Sequence, residues 1–405
     1  MSNSPASEDQ QLTALDMPAE GIPEVIDTPA ALRRAVRALQ AGTGPLAVDT
    51  ERASGFRYGQ RAFLIQIRRP GAGTWLIDPA ALDDLSILAE FANDQTWILH
   101  AATQDLPCLH ELGLSPAGLL DTELAGRLAG FPRVALGTMT ANLLGIALAK
   151  EHSAVDWSTR PLPDSWLAYA ALDVEVLHEL WQAIEKVLIE QGKLDFALQE
   201  FEYTRNLPDP EPAAEPWRKL SGINQLKGRK QLAVARELPS SREALARSRD
   251  VAPGRLLPDR AIIAAIMHKA STVPELLKIP GFHTRHAKRD APRWLAAIQR
   301  GRSTRDLPEL RSAKTGLPQP RSWVEKNPPA AARLDAAKAS MEDLVQQWNI
   351  PLENLLAPKA LRQLCWQPPK ALDEASIAGA LQAAGARDWQ VQLASGPLAG
   401  ALGKK

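Results

Sequence analysis

The segment Asn206–Pro216 reads NLPDPEPAAEP, eleven residues with four prolines and three acids. Proline lacks a backbone donor and its ring clashes with the preceding helical turn, so neither a helix nor a central strand can run through such a stretch. The spacing therefore predicts a domain boundary here in the 405-residue chain. Ahead of the cut, Leu46–Glu51, Ala62–Arg68, Thr74–Ile77 and Thr96–His100 are short apolar runs bounded by Gly, Pro or charge, the pattern of strands. Helical patterns cover the stretch from Ile22 to Ala41, then Leu82–Ala92, Thr103–Leu112, Thr122–Ala129, Thr138–Leu144 and Ser165–Gln191. Three early strands followed by alternating helix and strand predict a mixed α/β sheet flanked by helices.

Beyond the cut every pattern is helical, and one repeats. Val251–Ile262 (VAPGRLLPDRAI) aligns without a gap on Ile350–Leu361 (IPLENLLAPKAL), 99 residues apart, and each follows a long amphipathic stretch. A repeat spaced this widely predicts two copies of one small all-α domain, not a solenoid. The expected layout is a disordered tail over 1–21, an α/β domain over 22–205, the linker 206–216, a helical domain over 217–300, an Arg/Ser/Pro-rich linker over 301–329 and a second helical domain over 330–400.

The net charge of zero hides a split. Residues 1–210 carry 15 Lys/Arg against 29 Asp/Glu, a net of −14, while residues 211–320 carry 22 against 10, a net of +12. An acidic part joined to a basic part suggests metal chemistry at one end and polyanion binding at the other. Two cysteines, Cys108 and Cys365, exclude a disulfide scaffold and fit a reducing cytoplasm. The opening MSNSPASEDQQ lacks the basic-then-apolar order of a signal peptide, and no apolar run is long enough to span a bilayer, so a cytoplasmic location is expected.

Three elements place acids where acids are costly. In PLAVDTE, Asp49 and Glu51 end an apolar strand, and strand alternation puts both on one face. Two carboxylates that close repel each other and call for a cation, although solvated acids at a strand-end turn fit the spacing too. In WILHAATQDLPCL, Asp105 lies on the first turn of a helix, where the dipole alone would favour it. In WLAYAALDVEVL, Tyr169 and Asp173 stand one helical turn apart. Taken singly, none of the three decides anything.

In this order they resemble the DEDD superfamily of 3′–5′ exonucleases, in its tyrosine subclass. The runs DTE with FLIQI (Phe63–Ile67), LLDT (Leu119–Thr122) and DWSTRPL (Asp156–Leu162) are similar to the ribonuclease D family, and the repeated helical segments resemble HRDC domains. The resemblance implies a ribonuclease H-like catalytic domain followed by two HRDC-type domains. It implies that Asp49, Glu51, Asp105 and Asp173 hold two divalent ions, Mg²⁺ or Mn²⁺, with Tyr169 beside the attacking water. It implies trimming of the 3′ ends of RNA, such as precursors of tRNA or other stable RNA, with release of 5′-monophosphates and no obligate protein partner. A DNA exonuclease of the same superfamily and an inactive RNA-binding scaffold are the alternatives.

Oxygen ligands suit Mg²⁺ and Mn²⁺, whereas a zinc site would call for a Cys/His cluster. Arg57 and Tyr58, between the first two strands, and Lys227, Arg229, Lys230, Arg285, Lys288 and Arg289 in the basic region are candidates for RNA contact. His100, Cys108, His283 and His286 read as structural or surface residues, and Asp121 as a helix cap with a possible supporting role.

Overall fold

The computed structural model describes residues 12–149, 154–311 and 316–403. Its centre is a six-stranded mixed sheet of β2 (Val25–Ile26), β3 (Leu46–Arg52), β4 (Ala62–Arg69), β5 (Gly73–Ile77), β6 (Thr96–Leu99) and β7 (Gly118–Asp121), in the order β2-β5-β4-β3-β6-β7. The β3–β4 and β4–β5 pairs are antiparallel, and β2, β6 and β7 join in parallel. Alternation along β3 and β4 sorts the faces. Val48, Ile65, Ile67 and Ile77 point into a core shared with helix α1 (Pro29–Ala41). That helix is capped by Thr28, whose hydroxyl accepts from Ala31 N, and buries Leu32, Ala35, Val36 and Leu39 at helical spacing. The opposite face carries Asp49, Glu51, Leu64, Gln66 and Leu76.

Helices α2 (Ser86–Ala92), α3 (Leu106–His110), α4 (Thr122–Ala129) and α5 (Leu136–Leu144) connect the later strands, and α6 (Asp164–Glu175) covers the acidic face through Leu167, Ala170 and Ala171 against Leu64 and Leu76. The single helix expected over Ser165–Gln191 is two. α6 ends at Glu175 and α7 (Leu177–Glu190) starts after Val176, followed by α8 (Leu194–Arg205). The tail expected over 1–21 is structured from residue 12 onward. β1 (Thr13–Leu15) pairs in parallel with β8 (Ile146–Leu148), and Arg68 reaches Glu20 at 3.6 Å; residues 1–11 lie outside the described residues.

After the proline-rich segment come α9 (Arg229–Arg249), α10 (Pro253–Leu256), α11 (Asp259–Met267), α12 (Val273–Leu277), α13 (Arg285–Arg289) and α14 (Ala291–Ser303). Then follow α15 (Trp323–Lys326), α16 (Pro328–Trp348), α17 (Leu352–Leu355), α18 (Pro358–Trp366), α19 (Glu374–Ala383) and α20 (Asp388–Leu402). The repeat is structural. α16, α17 and α18 begin and end 99 residues after α9, α10 and α11. The left-handed residues that end the long helices, Asp250 (φ 51°) and Asn349 (φ 47°), keep the same offset. Trp323, fully buried, belongs to the core of the second copy, so that copy starts earlier than the residue 330 expected from sequence.

The two copies dock differently on the α/β domain. The first sits on the β3–β4 loop: Ala252 N donates to Phe56 O (2.9 Å), Tyr58 Oη to Glu243 (2.7 Å), and Arg61 pairs with Asp250 (2.6 Å). The second shares one continuous apolar core with the α/β domain. There Phe196 of α8 stacks on Trp389 at 4.6 Å, and Arg387 grips the buried Glu200 through Nε and Nη2, each at 2.6 Å. Burial pushes the Glu200 carboxyl up, and Arg387 and Trp389 hold it against that cost. Arg387→Ala should therefore cost about 3–5 kcal/mol, because it strands a buried charge. Chemical unfolding of the full chain checks this; a loss no larger than that for an exposed pair would show that the contact is not buried in solution.

Candidate active site

Asp49 and Glu51 occupy the last regular positions of β3, where a register shift between Glu51 and Arg52 breaks the ladder with β4 before its final pair, Arg52 with Ala62. α6 crosses above them and lowers Asp173 onto the strand. Oxygen atoms of Asp49, Glu51 and Asp173 lie within 4.8 Å of one another. One turn back on α6, the Tyr169 hydroxyl hydrogen-bonds the Asp173 carboxylate.

Asp105 arrives by a different device. After β6 the backbone turns through Ala101 in the left-handed region (φ 64°), then a single 3₁₀ turn, Ala102–Gln104, delivers Asp105 buried beside β3. Asp121 holds that turn in place. Its carboxylate accepts from Ala101 N (3.0 Å) and Ala102 N (2.9 Å), and caps α4 through Glu123 N and Leu124 N. A non-glycine residue at positive φ is costly, and these bonds supply the over-determination it needs. Burial pushes the Asp121 carboxyl up to about 6 despite the four donors.

In this geometry Asp105 faces Thr50, whose Oγ1 donates to it at 2.8 Å, and Arg52, whose guanidinium is 3.5 Å away and also bonds Gln104 O. It stands outside the tight trio yet within its electrostatic reach. Asp49, Glu51, Asp105 and Asp173 are all held above the ordinary carboxylate range, first by burial. Asp105 and Asp173 push the Asp49 and Glu51 carboxyls further up by like-charge repulsion, and Asp105 does the same to Asp173. The Tyr169 phenol is likewise raised, by burial and then by Asp173, and so keeps its proton. A buried cluster of hard oxygens that resists ionisation fits divalent cations of the Mg²⁺ and Mn²⁺ kind, which would neutralise it.

The wall behind Tyr169 comes from the DWSTRPL segment. Trp157, fully buried, lies 6.4 Å from the Tyr169 ring and meets Trp166 edge-on at 5.5 Å. Arg160 ties this segment to the sheet through Asp78 (2.5 and 2.8 Å) and Phe63 O (2.8 Å). An open groove of about 570 Å³ leads away from Tyr169 and Asp173 between α5 and β8, lined by Leu136, Ala141, Ala147 and Leu148, with Leu12 at its edge.

The other candidates disperse. His100 bonds Thr122 at 2.9 Å and is driven down to about 4 by burial, so it stays neutral and apart from the trio. Cys108 is buried and donates to Asp105 O. Arg57 and Tyr58 are occupied inside the protein: Arg57 donates to Ser158 (2.7 Å), and Tyr58 is engaged by Glu243 and Arg247 of α9. Arg229 is tied to Glu309 and to the carbonyls of Leu307 and Pro308, and Lys227 to Asn224 O. Lys230, Arg285, Lys288 and Arg289 are exposed, and Arg289 lies 3.6 Å from Asp290. Asp78, Arg160 and the bridging role of Asp121 were not foreseen. The DWSTRPL run pointed toward Arg160 and the LLDT run toward Asp121, while Asp78 lies in neither.

Comparison with known proteins agrees with this architecture. Residues 23–189 match the family described as 3′–5′ exonuclease, residues 231–298 the HRDC domain, and residues 316–402 the 3′ to 5′ exonuclease C-terminal domain. Ribonuclease D of Escherichia coli (strain K12) is 30% identical, with 84% of this chain and 88% of that one aligned. The crystal structure of E. coli RNase D matches with a TM-score of 0.65 at 26% identity, over 90% of this chain and 97% of that one. A crystal structure of a protein from Bifidobacterium adolescentis matches with a TM-score of 0.88 at 36% identity, over 97% and 100% of the two chains. A mixed sheet that buries a carboxylate cluster under a tyrosine-bearing helix defines a metal-dependent 3′–5′ exonuclease. The chain belongs to the ribonuclease D family, and its activity is that of a 3′–5′ exoribonuclease acting on RNA. Among the described residues no helix is long and apolar enough to cross a membrane.

Proposed function

We propose that Asp49, Glu51, Asp105 and Asp173 together hold two divalent ions, Mg²⁺ or Mn²⁺, and that the chain trims the 3′ ends of tRNA or other stable-RNA precursors in the cytoplasm, releasing 5′-monophosphates. The observation that carries the metal site is the trio of carboxylates within 4.8 Å, Glu51 buried and Asp49 and Asp173 half-buried, with Asp105 in electrostatic reach. Bound there, the ions would supply an activated water and neutralise the charge that grows on the phosphate and the leaving 3′ oxygen. The protein's own part is positional. Tyr169, still protonated and leaning on Asp173, would hydrogen-bond the water and aim it in line with the P–O bond. The apolar groove beside it gives the terminal base a surface to lie on without demanding a sequence.

Stable-RNA precursors are supported by the structural relative in E. coli, described as an exoribonuclease involved in structured RNA processing. Incubation of 3′-extended and 5′-extended tRNA precursors and a matched DNA strand with each ion tests the reading. Shortening of the 3′-extended RNA alone is expected; equal attack on DNA, or none on any substrate, would overturn it.

The exposed cations around α13 would contact RNA phosphates in this reading. Each phosphate neutralised on a single strand contributes about −0.7 to the slope of log K against log salt. Arg285→Ala with Lys288→Ala should therefore flatten that slope by about 1.4 for RNA binding, with cleavage of a short oligonucleotide at saturation unchanged. An unchanged slope would remove this surface from the substrate path.

A further inference from the structure

Gln66 is fully buried, and among the described residues neither its Oε1 nor its Nε2 has a hydrogen-bond partner. Register places it directly opposite Asp49 on the β3–β4 ladder and opposite Leu76 on the β4–β5 ladder. Residues paired across antiparallel strands share a face with their side chains in contact range. Gln66 therefore lies beside Asp49 beneath α6, the helix that brings in Asp173. Nothing in the packing asks for an amide there. Its neighbours on that face, Leu64 and Leu76, are plain hydrocarbon in the same core. A buried amide without a partner carries its desolvation cost with no return, so the side chain is built for a state in which a partner faces it.

We propose that Gln66 is a positioning residue for the metal site: its Nε2 donates to the Asp49 carboxylate once a divalent ion draws that carboxylate into place. A ligand carboxylate has two oxygens, and one that holds an ion leaves the other free to accept. An amide donor fixed by close packing would hold the carboxylate plane and favour its ionised form, as outer-sphere partners of metal ligands do. Gln66 needs no contact with the ion for this. The inference rests on the reading of Asp49 as a metal ligand given above.

The test is calorimetric titration of the full chain with Mn²⁺, together with thermal melts in EDTA, for wild type, Gln66→Leu, Gln66→Met and Asp49→Asn. Both Gln66 variants keep the volume and delete the amide. Mn²⁺ affinity should fall by about 10–100-fold in both, while the melting temperature in EDTA should equal or exceed that of wild type, because an unpaired buried amide has been removed. Unchanged Mn²⁺ affinity in both variants would overturn the proposal. A lowered melting temperature in EDTA would overturn it as well, since the amide would then be holding the fold and not the ligand. Asp49→Asn separates the two levels. If it retains wild-type Mn²⁺ affinity, the assignment of the metal site itself has failed; if it loses Mn²⁺ while the Gln66 variants keep it, only the role of Gln66 has failed.

Discussion

Asp49→Asn and Asp173→Asn are each expected to lower cleavage of RNA by roughly 10³-fold or more, the size of losing several kcal/mol of metal-borne stabilisation in the transition state. The same variants should melt in EDTA at the wild-type temperature or above it. The reason is the like-charge repulsion that holds the cluster above the ordinary carboxylate range. The pH dependence follows from the direction of those shifts. Where the folded carboxyls bind protons more tightly than the unfolded ones, folding takes up protons, and stability falls as pH rises through that window. For Asp173, raised to about 7, the window runs from the usual carboxylate range to near neutrality. The metal-free protein should therefore lose stability between about pH 4 and 7 on account of this site, and the stabilisation conferred by Mg²⁺ should grow over the same range. In Asp173→Asn both slopes should flatten. Melts across pH with and without metal check this; parallel slopes in variant and wild type, or substantial residual cleavage in both variants, would show that these carboxylates do not hold metal.

What the sequence revealed follows from how local the cause is. Asp49 and Glu51 could be placed together because alternation is a property of the strand itself, and Tyr169 and Asp173 because helical spacing is. Asp105 could be placed only in sequence order. Its position depends on Ala101 adopting a positive φ, which no alanine announces, and on Asp121 bonding backbone across twenty residues of chain. The short strand Thr13–Leu15 was hidden for a similar reason: three residues acquire strand structure only through a partner at Ile146–Leu148. The repeat was legible to the residue because both copies keep the same helix boundaries. Their different docking was not, since it hangs on pairs such as Glu200 with Arg387 and Phe196 with Trp389, which sit nearly 200 positions apart. Trp389 reads as an ordinary core tryptophan; in the fold its indole N–H donates to Glu200 and joins the two domains. A catalytic fragment ending near Tyr203 would therefore expose the face of α8 that the last domain covers, and the full chain is the proper material for measurement.

Tyr169→Phe is expected to lower the cleavage rate by roughly 10²–10⁴-fold, the range for losing a group that takes part in proton positioning or transfer, while Mn²⁺ affinity measured by calorimetry stays at the wild-type value. The substitution removes one hydroxyl and none of the carboxylates, and the remaining ring keeps its place against Trp157. Burial and the neighbouring Asp173 hold the phenol above its ordinary value, so a proton stays on the oxygen at neutral pH. If the hydroxyl acts on the water and not on the body of the RNA, the loss should appear in kcat and leave KM near that of the wild type. Asp173 gains freedom when its tyrosine partner is gone, which would loosen the metal if that hydrogen bond were what held the carboxylate. Calorimetry therefore separates the two accounts: weakened Mn²⁺ binding in Tyr169→Phe would make the tyrosine a support for Asp173, and a wild-type rate would deny it any role, whereas intact binding with a collapsed kcat leaves the orientation of water as the step it governs.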